Sequence, residues 1–329
     1  MAKITINEVA KHAGVSVTTV SRVLNNRGYI SEETRSKVQE SINALGFIPN
    51  EMARSLFTTY TRLIGLIIPS TINPYFGELA FYIEKYLSVR GYKLLICNSI
   101  NEEENEKNYL RMLQENRVDG IIFGSHNINI HEYDKMPLKM VCIERSISDN
   151  IPVIQCDNYH GGELATEALI EAGCQNILCL RGDPHLYTPA NHRYEAHQAC
   201  MEAHGLVPHF INIPFTISNS EKYKIIQNIF QDKFSYDGVF AGDDMVASIL
   251  YNCALENHIR VPEDLKIIGF DGTETMKTVF PALATICQPI RQLAEASVKT
   301  LLDIVEDRPY SMMTTLPVSL YRGHSLGNN

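Results

Sequence analysis

Acidic, basic and aromatic side chains recur at the ends of apolar segments in the longer part of the chain. Asp243 follows the apolar segment Gly238–Ala241, Asp271 follows Leu265–Phe270, and Arg193 starts an amphipathic stretch. Carboxylates accept hydrogen bonds from hydroxyl groups, a guanidinium donates them, and aromatic rings stack on the apolar face of a sugar ring. These residue types therefore predict a site for a small polyhydroxylated molecule such as a sugar.

These side chains share a position that favours a common site. The carboxyl ends of parallel strands meet at one edge of a sheet, where open α/β proteins bind ligands. By this argument the candidate ligand-binding residues are Tyr75, Phe76, Ser125, Arg145, Arg193, Asp243, Asp271 and Gln288. Structural roles stay open for several of them, because Asp243 can cap a helix, Asp271 can belong to a plain turn, and Arg145 can form a salt bridge between lobes.

The apolar segments also predict the fold that must position these residues. Nine of them, from Leu63–Ile68 to Leu265–Phe270, alternate with amphipathic helical segments. Such alternation is typical of parallel sheets with crossover helices. We predict an α/β fold in which residues 62–329 form two doubly wound parallel-sheet lobes. The expected first lobe is about 62–158 plus 291–319, and the expected second lobe is about 159–290 plus 320–329.

The N-terminal segment has a different, all-helical pattern. Apolar residues in Ile6–Ala13 and Val17–Asn25 have helical spacing, and Gly14–Ser16 between them can turn the chain and cap the second helix. A third helix is predicted at Ser31–Leu45. Two short helices joined by a glycine turn form a helix-turn-helix, whose second helix can read base edges in the major groove of DNA. An ordinary surface helix pair is the alternative.

Charge is distributed in the way that this interpretation requires. The whole chain has a net charge of -9, which by itself argues against binding to nucleic acid. Residues 1–60, however, contain seven basic and five acidic side chains, so this segment carries +2 and the remainder carries -11. A mildly basic N-terminal domain on an acidic body is consistent with DNA binding by the first segment alone.

Short motifs in the N-terminal segment carry a specific resemblance. Ile6–Ala10, Gly14–Ser16, Thr19–Asn25, Gly46–Asn50 and Ala53–Leu56 resemble the N-terminal signature of the lactose-repressor family of transcription regulators. The resemblance implies a helix-turn-helix domain at 1–48 and a hinge helix and linker at 49–61, in which Leu56 wedges into the minor groove of the operator. The candidate DNA-binding residues are Thr5, Ser16, Val17, Thr18, Thr19, Ser21, Arg22, Asn25, Asn50, Ala53, Arg54 and Leu56.

The body of the chain is similar to the same family. Gly238–Asp244, Val261–Gly272 and Thr285–Pro289 carry this likeness, which implies an effector site that includes Tyr75, Phe76, Arg193, Asp243, Asp271 and Gln288. Phe215 matches an aromatic lid of that site. Within the family, Ile96–Ser99 and Ala172–Asn176 resemble sucrose operon repressors of Gram-positive bacteria. The implied function is a repressor whose operator affinity is controlled by sucrose or a related sugar.

Several other functions are disfavoured by what the sequence does not contain. It has no apolar N-terminal segment typical of a signal peptide and no run long enough to span a membrane, so we expect a cytoplasmic protein. The eight cysteines include no C-x-x-C pair, which favours buried free thiols over a metal site. Motifs for nucleotide, zinc or serine-hydrolase chemistry are absent, so neither an enzyme nor a cofactor is expected.

The alternatives that stay open concern regulation and assembly. A sugar-binding transport protein would share the body but would need a signal peptide. A corepressor-dependent regulator, or one that also binds a phosphocarrier protein, would have the same sequence features. The resemblance implies a homodimer on a near-palindromic operator. No leucine heptads follow Arg322–His324, so we expect no tetramer-forming tail.

Overall fold

The computed structural model describes residues 4–25, 27–47, 60–100, 102–125, 133, 138–184, 188–231 and 234–327. The chain divides into two compact units, Met1–Thr61 and Arg62–Asn329. The predicted hinge residues Asn50, Ala53, Arg54 and Leu56 lie outside the described residues.

The first unit contains three helices whose apolar faces meet. α1 (Ile6–Ala13) ends at Gly14, whose φ of 66° is left-handed, and α2 (Val17–Leu24) begins three residues later. Ser16 caps α2, because its hydroxyl accepts a hydrogen bond from the amide of Thr19 at 3.1 Å. α3 (Glu32–Leu45) follows. The shared core is formed by Val9, Ala10, Val20, Val23, Val38 and Ile42.

The second unit contains two sheets, and the first has six parallel strands. They are β1 (Leu63–Ile68), β2 (Lys93–Asn98), β3 (Gly120–Phe123), β4 (Met140–Ile143), β5 (Val153–Cys156) and β11 (Met313–Leu316). Their order is β11-β5-β4-β3-β1-β2. α4 (Pro74–Val89) and α11 (Ile290–Val305) pack on one face, and α5 (Glu103–Glu115) packs on the other. Helices on both faces make this a doubly wound lobe.

The second sheet also has six strands. They are β6 (Ile177–Arg181), β7 (His209–Asn212), β8 (Gly238–Ala241), β9 (Lys266–Asp271), β10 (Ala284–Cys287) and β12 (Ser319–Tyr321). Their order is β12-β10-β9-β8-β6-β7, and β12 alone is antiparallel to its neighbour. The helices that cover this sheet are α6 (Asn158–Glu171), α7 (Asn191–Ala203), α8 (Asn219–Gln231) and α9 (Asp244–Glu256). A short helix, α10 (Glu274–Val279), follows β9.

The chain passes between the two lobes three times. These passages follow β5, β10 and β11, so each lobe is built from separate stretches of the sequence. Fold class is confirmed: two parallel-sheet α/β lobes accompany an N-terminal helical domain. Within the described residues, no helix is both long and apolar enough to span a membrane.

The strands that sequence analysis did not predict are β10, β11 and β12. β11 and β12 occupy sheet edges, and their residues are partly or fully exposed. Edge strands of this kind lack the continuous apolar run by which the buried parallel strands are recognised.

Candidate functional site

A cavity of about 350 Å³ lies at the carboxyl ends of strands from both sheets. Its volume is within the range of small-molecule sites. The first lobe contributes residues that follow β1 and β4, and the second contributes residues that follow β6, β7, β8, β9 and β10. Seven of the nine predicted ligand-binding residues line it, namely Tyr75, Phe76, Arg193, Phe215, Asp243, Asp271 and Gln288.

Arg193 is fixed in the cavity wall by three contacts. It lies in the first turn of α7 and is 6% exposed. Its Nε donates to Asn158 Oδ1 at 2.7 Å, and its Nη1 donates to the carbonyl of Gly242 at 2.9 Å. The guanidinium carbon lies 3.5 Å from the ring centre of Phe270. These contacts orient the guanidinium before any ligand binds, which lowers the entropic cost of recognition.

A chain of buried hydrogen bonds connects Arg193 to the first lobe. Asn158, at the start of α6, donates through Nδ2 to Glu144 Oε2 at 2.7 Å. Glu144 Oε1 in turn accepts from the amide of Cys156. Burial raises the pKa of Glu144, and Arg193 partly offsets this effect. The chain therefore joins the end of β4 to α7 across the boundary between the lobes.

Asp271 and Gln288 form a second polar pair in the cavity. Gln288 Nε2 donates to Asp271 Oδ1 at 2.7 Å. The backbone N–H of Gln288 donates to the backbone carbonyl of Asp271 at 2.9 Å. Burial, together with the nearby carboxyl of Asp244, raises the pKa of Asp271 well above its usual value, while Arg193 opposes the rise. Ligand hydroxyls that donate to Asp271 would stabilise its charged form.

Asp243 and Asp244 are adjacent in sequence but have different roles. Asp243 lines the cavity and also caps α9, because its Oδ1 accepts from the amide of Val246 at 2.7 Å. Asp244 is buried behind the cavity wall, where it accepts from Thr285 Oγ1 at 2.5 Å and from the amide of Gly272 at 2.8 Å. Asp244 thus supports the loop that carries Asp271.

Two buried polar atoms at the cavity have no hydrogen-bond partner among the residues that the structure describes. They are the hydroxyl oxygen of Tyr75 and Oε1 of Gln288. An unpaired polar atom in a protein interior costs free energy, which a ligand with hydroxyl groups recovers when it binds. Both atoms belong to residues that line the cavity, so the site is suited to a ligand that both donates and accepts hydrogen bonds.

Ser125 and Arg145 were also predicted to bind ligand, but the structure does not place them at the cavity. Arg145 is 3% exposed and donates through Nη1 to the Ser125 carbonyl at 2.9 Å and to its hydroxyl at 3.1 Å. It also lies 3.9 Å from the carboxylate of Glu106. The side chain of Arg145 turns away from the strand ends. Arg145 and Ser125 therefore bind each other inside the first lobe.

Sequence analysis did not select Lys222 and Tyr194, which also line the cavity. No sequence pattern identifies Tyr194, since it follows Arg193 in an ordinary amphipathic helix. Lys222 lies in the first turn of α8, where acidic residues are favoured and a lysine is unusual. That reversed charge is the signal that could have identified Lys222.

In the first unit, the outer surface of α2 presents several predicted DNA-binding residues. Val17 is 40% exposed, and Thr18 and Arg22 are exposed. Arg22 forms no ion pair with any described residue of this unit, so its guanidinium is available to a partner. Tyr29, in the turn before α3, is 97% exposed and was not predicted. This exposed aromatic ring is a further group of the first unit that could contact DNA.

The other predicted DNA-binding residues that the structure describes have local structural partners. Thr5 donates through its amide to Glu8 Oε2 at 2.6 Å at the start of α1. Ser16 caps α2, and its hydroxyl lies 2.9 Å from that of Thr19. Asn25 Nδ2 donates to the carbonyl of Ser21 at 2.8 Å. These contacts fix the two ends of the helix pair.

Comparison with known proteins assigns both units. Residues 5–50 match the family model for bacterial regulatory proteins of the lacI family, and residues 166–326 match the periplasmic binding protein-like domain. A sucrose operon repressor from Pediococcus pentosaceus is 42% identical over 97% of this chain and 98% of its own length. The chain belongs to the lacI family. The predicted resemblance to this family and to Gram-positive sucrose operon repressors is confirmed.

Other members of the lacI family extend the comparison. A ribose operon repressor from Halalkalibacterium halodurans is 38% identical over 93% of this chain and 91% of its own. A regulator from Alkaliphilus metalliredigens complexed with D-xylulofuranose has a TM-score of 0.73 at 32% identity, covering 79% of this chain and 97% of its own. The lac repressor dimer, bound to operator and the anti-inducer ONPF, has a TM-score of 0.86 over 99% of both chains, and at 24% identity it shows the shared fold.

Proposed function

We propose that this lacI-family repressor binds a near-palindromic operator as a cytoplasmic homodimer and controls genes for the use of sucrose or a related carbohydrate. A small sugar in the cavity is the inducer, which lowers operator affinity. The 42% identity to a sucrose operon repressor supports this choice of genes. The exposed face of α2 supplies the groups for DNA recognition.

The observation that carries the proposal is the set of polar groups that converge on the cavity. Asp243 and Asp271 can accept hydrogen bonds from sugar hydroxyls, and Arg193 can donate to them. Tyr75 and Gln288 add buried polar atoms to which no described residue gives a hydrogen bond. Phe76 and Phe215 supply aromatic surface for the apolar face of a sugar ring. Together these groups match a neutral, hydroxyl-rich ring better than an apolar ligand.

The same geometry suggests how the sugar acts on DNA binding. The cavity is lined by both lobes, so a bound sugar contacts both and favours the lobe arrangement in which both sets of contacts form. The hydrogen-bond chain Glu144–Asn158–Arg193 already couples the lobes at the cavity wall. A ligand that engages Arg193 therefore acts on this chain directly.

Calorimetric titration of the full chain with sucrose, fructose and ribose tests the proposal. We expect one of these sugars to bind and Asp271→Asn to weaken its binding, because the substitution replaces one acceptor oxygen of the carboxyl group with an NH₂ donor. A sugar at 100 times its dissociation constant should add about 2.7 kcal/mol to the free energy of unfolding. Binding of none of the sugars, or equal affinity in Asp271→Asn, would remove the cavity from the mechanism.

A ribose-like effector is the second candidate. It is favoured by the 38% identity to a ribose operon repressor and by the D-xylulofuranose complex of the 32% identical regulator. The titration distinguishes the two sugars directly. A sugar that tightens operator binding would identify a corepressor instead of an inducer, and a phosphocarrier partner would be revealed by a further dependence on that protein.

A further inference from the structure

A carboxylate of the first lobe binds the first amide of a helix in the second lobe. Glu78 lies in α4, and its Oε2 accepts a hydrogen bond from the backbone N–H of Glu274 at 2.8 Å. Glu274 is the first residue of α10. The two helices contact each other across the lobe boundary. Neither residue lines the cavity, so this contact is separate from the groups proposed to bind the sugar.

The location of this hydrogen bond makes it sensitive to the arrangement of the lobes. Glu78 and Glu274 are 196 residues apart in the sequence, on elements of different lobes. Asn158, whose bond to Glu144 also joins the lobes, follows directly on β5, where the chain itself crosses between them. A rotation of one lobe against the other changes distances least at such crossings and more elsewhere. The bond between Glu78 and Glu274 should therefore break when the lobes rotate apart.

The hydrogen bond offsets a cost of placing the Glu78 carboxylate at the lobe boundary. Glu78 is half-buried, and burial raises its pKa above the usual value, whereas the hydrogen bond from the Glu274 amide opposes the rise. Of the charged side chains of α10, the carboxylate of Glu274 repels Glu78 and the ammonium of Lys277 attracts it. A charged acceptor forms a stronger hydrogen bond than a neutral one. Glu78 therefore favours the lobe arrangement in which α10 supplies its amide.

The same two elements also position residues of the cavity. Tyr75 lies in the first turn of α4, and α10 begins shortly after Asp271. A helix moves as a unit because its backbone hydrogen bonds hold it together. The arrangement that brings Tyr75 and Asp271 to one cavity is thus the arrangement in which Glu78 reaches the amide of Glu274.

Resting on the proposed function, we infer that the Glu78 carboxylate and the Glu274 amide form a clasp that holds the two lobes in the arrangement that binds the sugar. The clasp and the sugar favour the same arrangement, so each makes the other more favourable. Without the clasp, the ligand-free protein shifts away from this arrangement, and the sugar must reverse the shift when it binds. Because the sugar is an inducer, the clasp also lowers the operator affinity of the ligand-free protein.

Two matched pairs of variants isolate the clasp. Glu78→Ala removes the acceptor, and Glu84→Ala, which removes an exposed carboxylate from the same helix, is its control. Glu274→Pro removes the donor, because proline lacks a backbone N–H, yet proline is well tolerated at the first position of a helix. Thr273 before it has φ −63° and ψ 152°, which suit a residue that precedes proline. Glu274→Ala keeps the N–H and is the second control.

Calorimetry on the full chain, with the sugar that binds the wild type, measures the contribution of the clasp. We expect Glu78→Ala and Glu274→Pro each to weaken binding about 5- to 20-fold, as for a partly exposed charge-assisted hydrogen bond. Both controls should bind like the wild type. The double variant should bind no more weakly than either single variant, because both substitutions remove the same bond. Without sugar, Glu78→Ala should bind operator DNA at least as tightly as the wild type.

Hydrogen exchange of the ligand-free chain tests the bond itself. The amides at the start of α10 should exchange faster in Glu78→Ala than in the wild type and in Glu84→Ala. Unchanged exchange would show that the bond does not form, and faster exchange with unchanged sugar affinity would show a local contact; either result overturns the clasp and leaves the sugar repressor standing. If no sugar binds the wild type, the proposed function and this inference both fail.

Discussion

Tyr75 and Gln288 each bring to the cavity a buried polar atom that has no hydrogen-bond partner in the described part of the chain. A residue that served the fold alone would gain from a partner or from an apolar replacement, since an unsatisfied buried group costs about 1–3 kcal/mol. Burial also raises the pKa of Tyr75 well above its usual value, so its hydroxyl remains a hydrogen-bond donor across the physiological range. These two residues are therefore better explained by ligand binding than by packing.

Tyr75→Phe tests this explanation. The variant should bind the effector about 5- to 10-fold more weakly, corresponding to one lost hydrogen bond of about 1 kcal/mol. Its ligand-free stability should stay equal or rise, because the unpaired hydroxyl is gone. Calorimetry and thermal unfolding measure the two effects. Tyr82→Phe, a half-buried tyrosine on the same helix outside the cavity lining, is the control; an equal loss of affinity there would refute the assignment.

A substitution of Arg22 tests the proposed recognition of DNA by α2. It is exposed on α2 beside Val17 and Thr18 and has no ion-pair partner among the described residues of its unit. Arg22→Ala should lose about 1–3 kcal/mol of binding free energy on the preferred operator and relax the preference at one base pair. Binding to a panel of single-base operator variants measures this. Equal weakening on every variant would assign Arg22 to a phosphate contact instead.

At the scale of elements, the position of Arg193 depends on close contact between α6 and α7. A Cβ atom on Gly162 of α6 would lie 2.2 Å from the carbonyl oxygen of Arg193. Because the obstacle is backbone, a side-chain movement cannot relieve it. The glycine allows the two helices to approach closely. This approach places the guanidinium of Arg193 within hydrogen-bond distance of Asn158 and Gly242.

Gly162→Ala should therefore destabilise the protein and weaken effector binding. Alanine is favoured over glycine in a helix by about 1 kcal/mol, so any net loss of stability reports the clash with α7. We expect a net loss of about 1–3 kcal/mol by chemical denaturation. Glu163→Ala, at a neighbouring position with a 43% exposed side chain, is the control. A Gly162→Ala variant as stable as the wild type, with full sugar affinity, would contradict this account of the helix contact.

Sequence analysis predicts most of the buried strands and the edge strands β2 and β7, but it misses β10, β11 and β12. β1, β8 and β9 are buried apolar runs, and their ends correctly located Asp243 and Asp271. The direction of a side chain after a strand end is set by tertiary contacts, which is why Arg145 was placed wrongly at the cavity. Lys222 was not selected because the helical spacing of apolar residues does not show which polar side chains line a cavity.

At the scale of the whole molecule, buried carboxyl groups should make stability depend on pH. Burial raises the pKa of Asp244 from 3.8 to about 7, with hydrogen bonds from Thr285 and Gly272 opposing the rise. The folded chain then binds more protons than the unfolded chain between about pH 4 and pH 7. The contribution of Asp244 to stability is therefore fully present below pH 4 and is lost as the pH rises through 7.

The difference in unfolding free energy between the wild type and Asp244→Asn measures this effect together with the change that the substitution causes in the pKa of Asp271. We expect the unfolding free energy of the wild type to fall relative to that of the variant between pH 4 and 7. Above pH 8 the difference should be constant, because Asp244 is then ionised in both the folded and the unfolded chain. Denaturant unfolding at intervals of half a pH unit measures it. A difference that is constant over the whole range would show that Asp244 ionises normally in the folded protein.

Repression controlled by a sugar links the two units, so the most direct measurement follows both at once. The full chain is bound to a fluorescent DNA site selected from a random pool, and the anisotropy is recorded while a sugar or sugar phosphate that binds by calorimetry is added. The account predicts that the ligand releases the DNA from the wild type and that Asp271→Asn requires a much higher concentration. DNA binding that no cavity ligand changes, or that the ligand tightens, would contradict it.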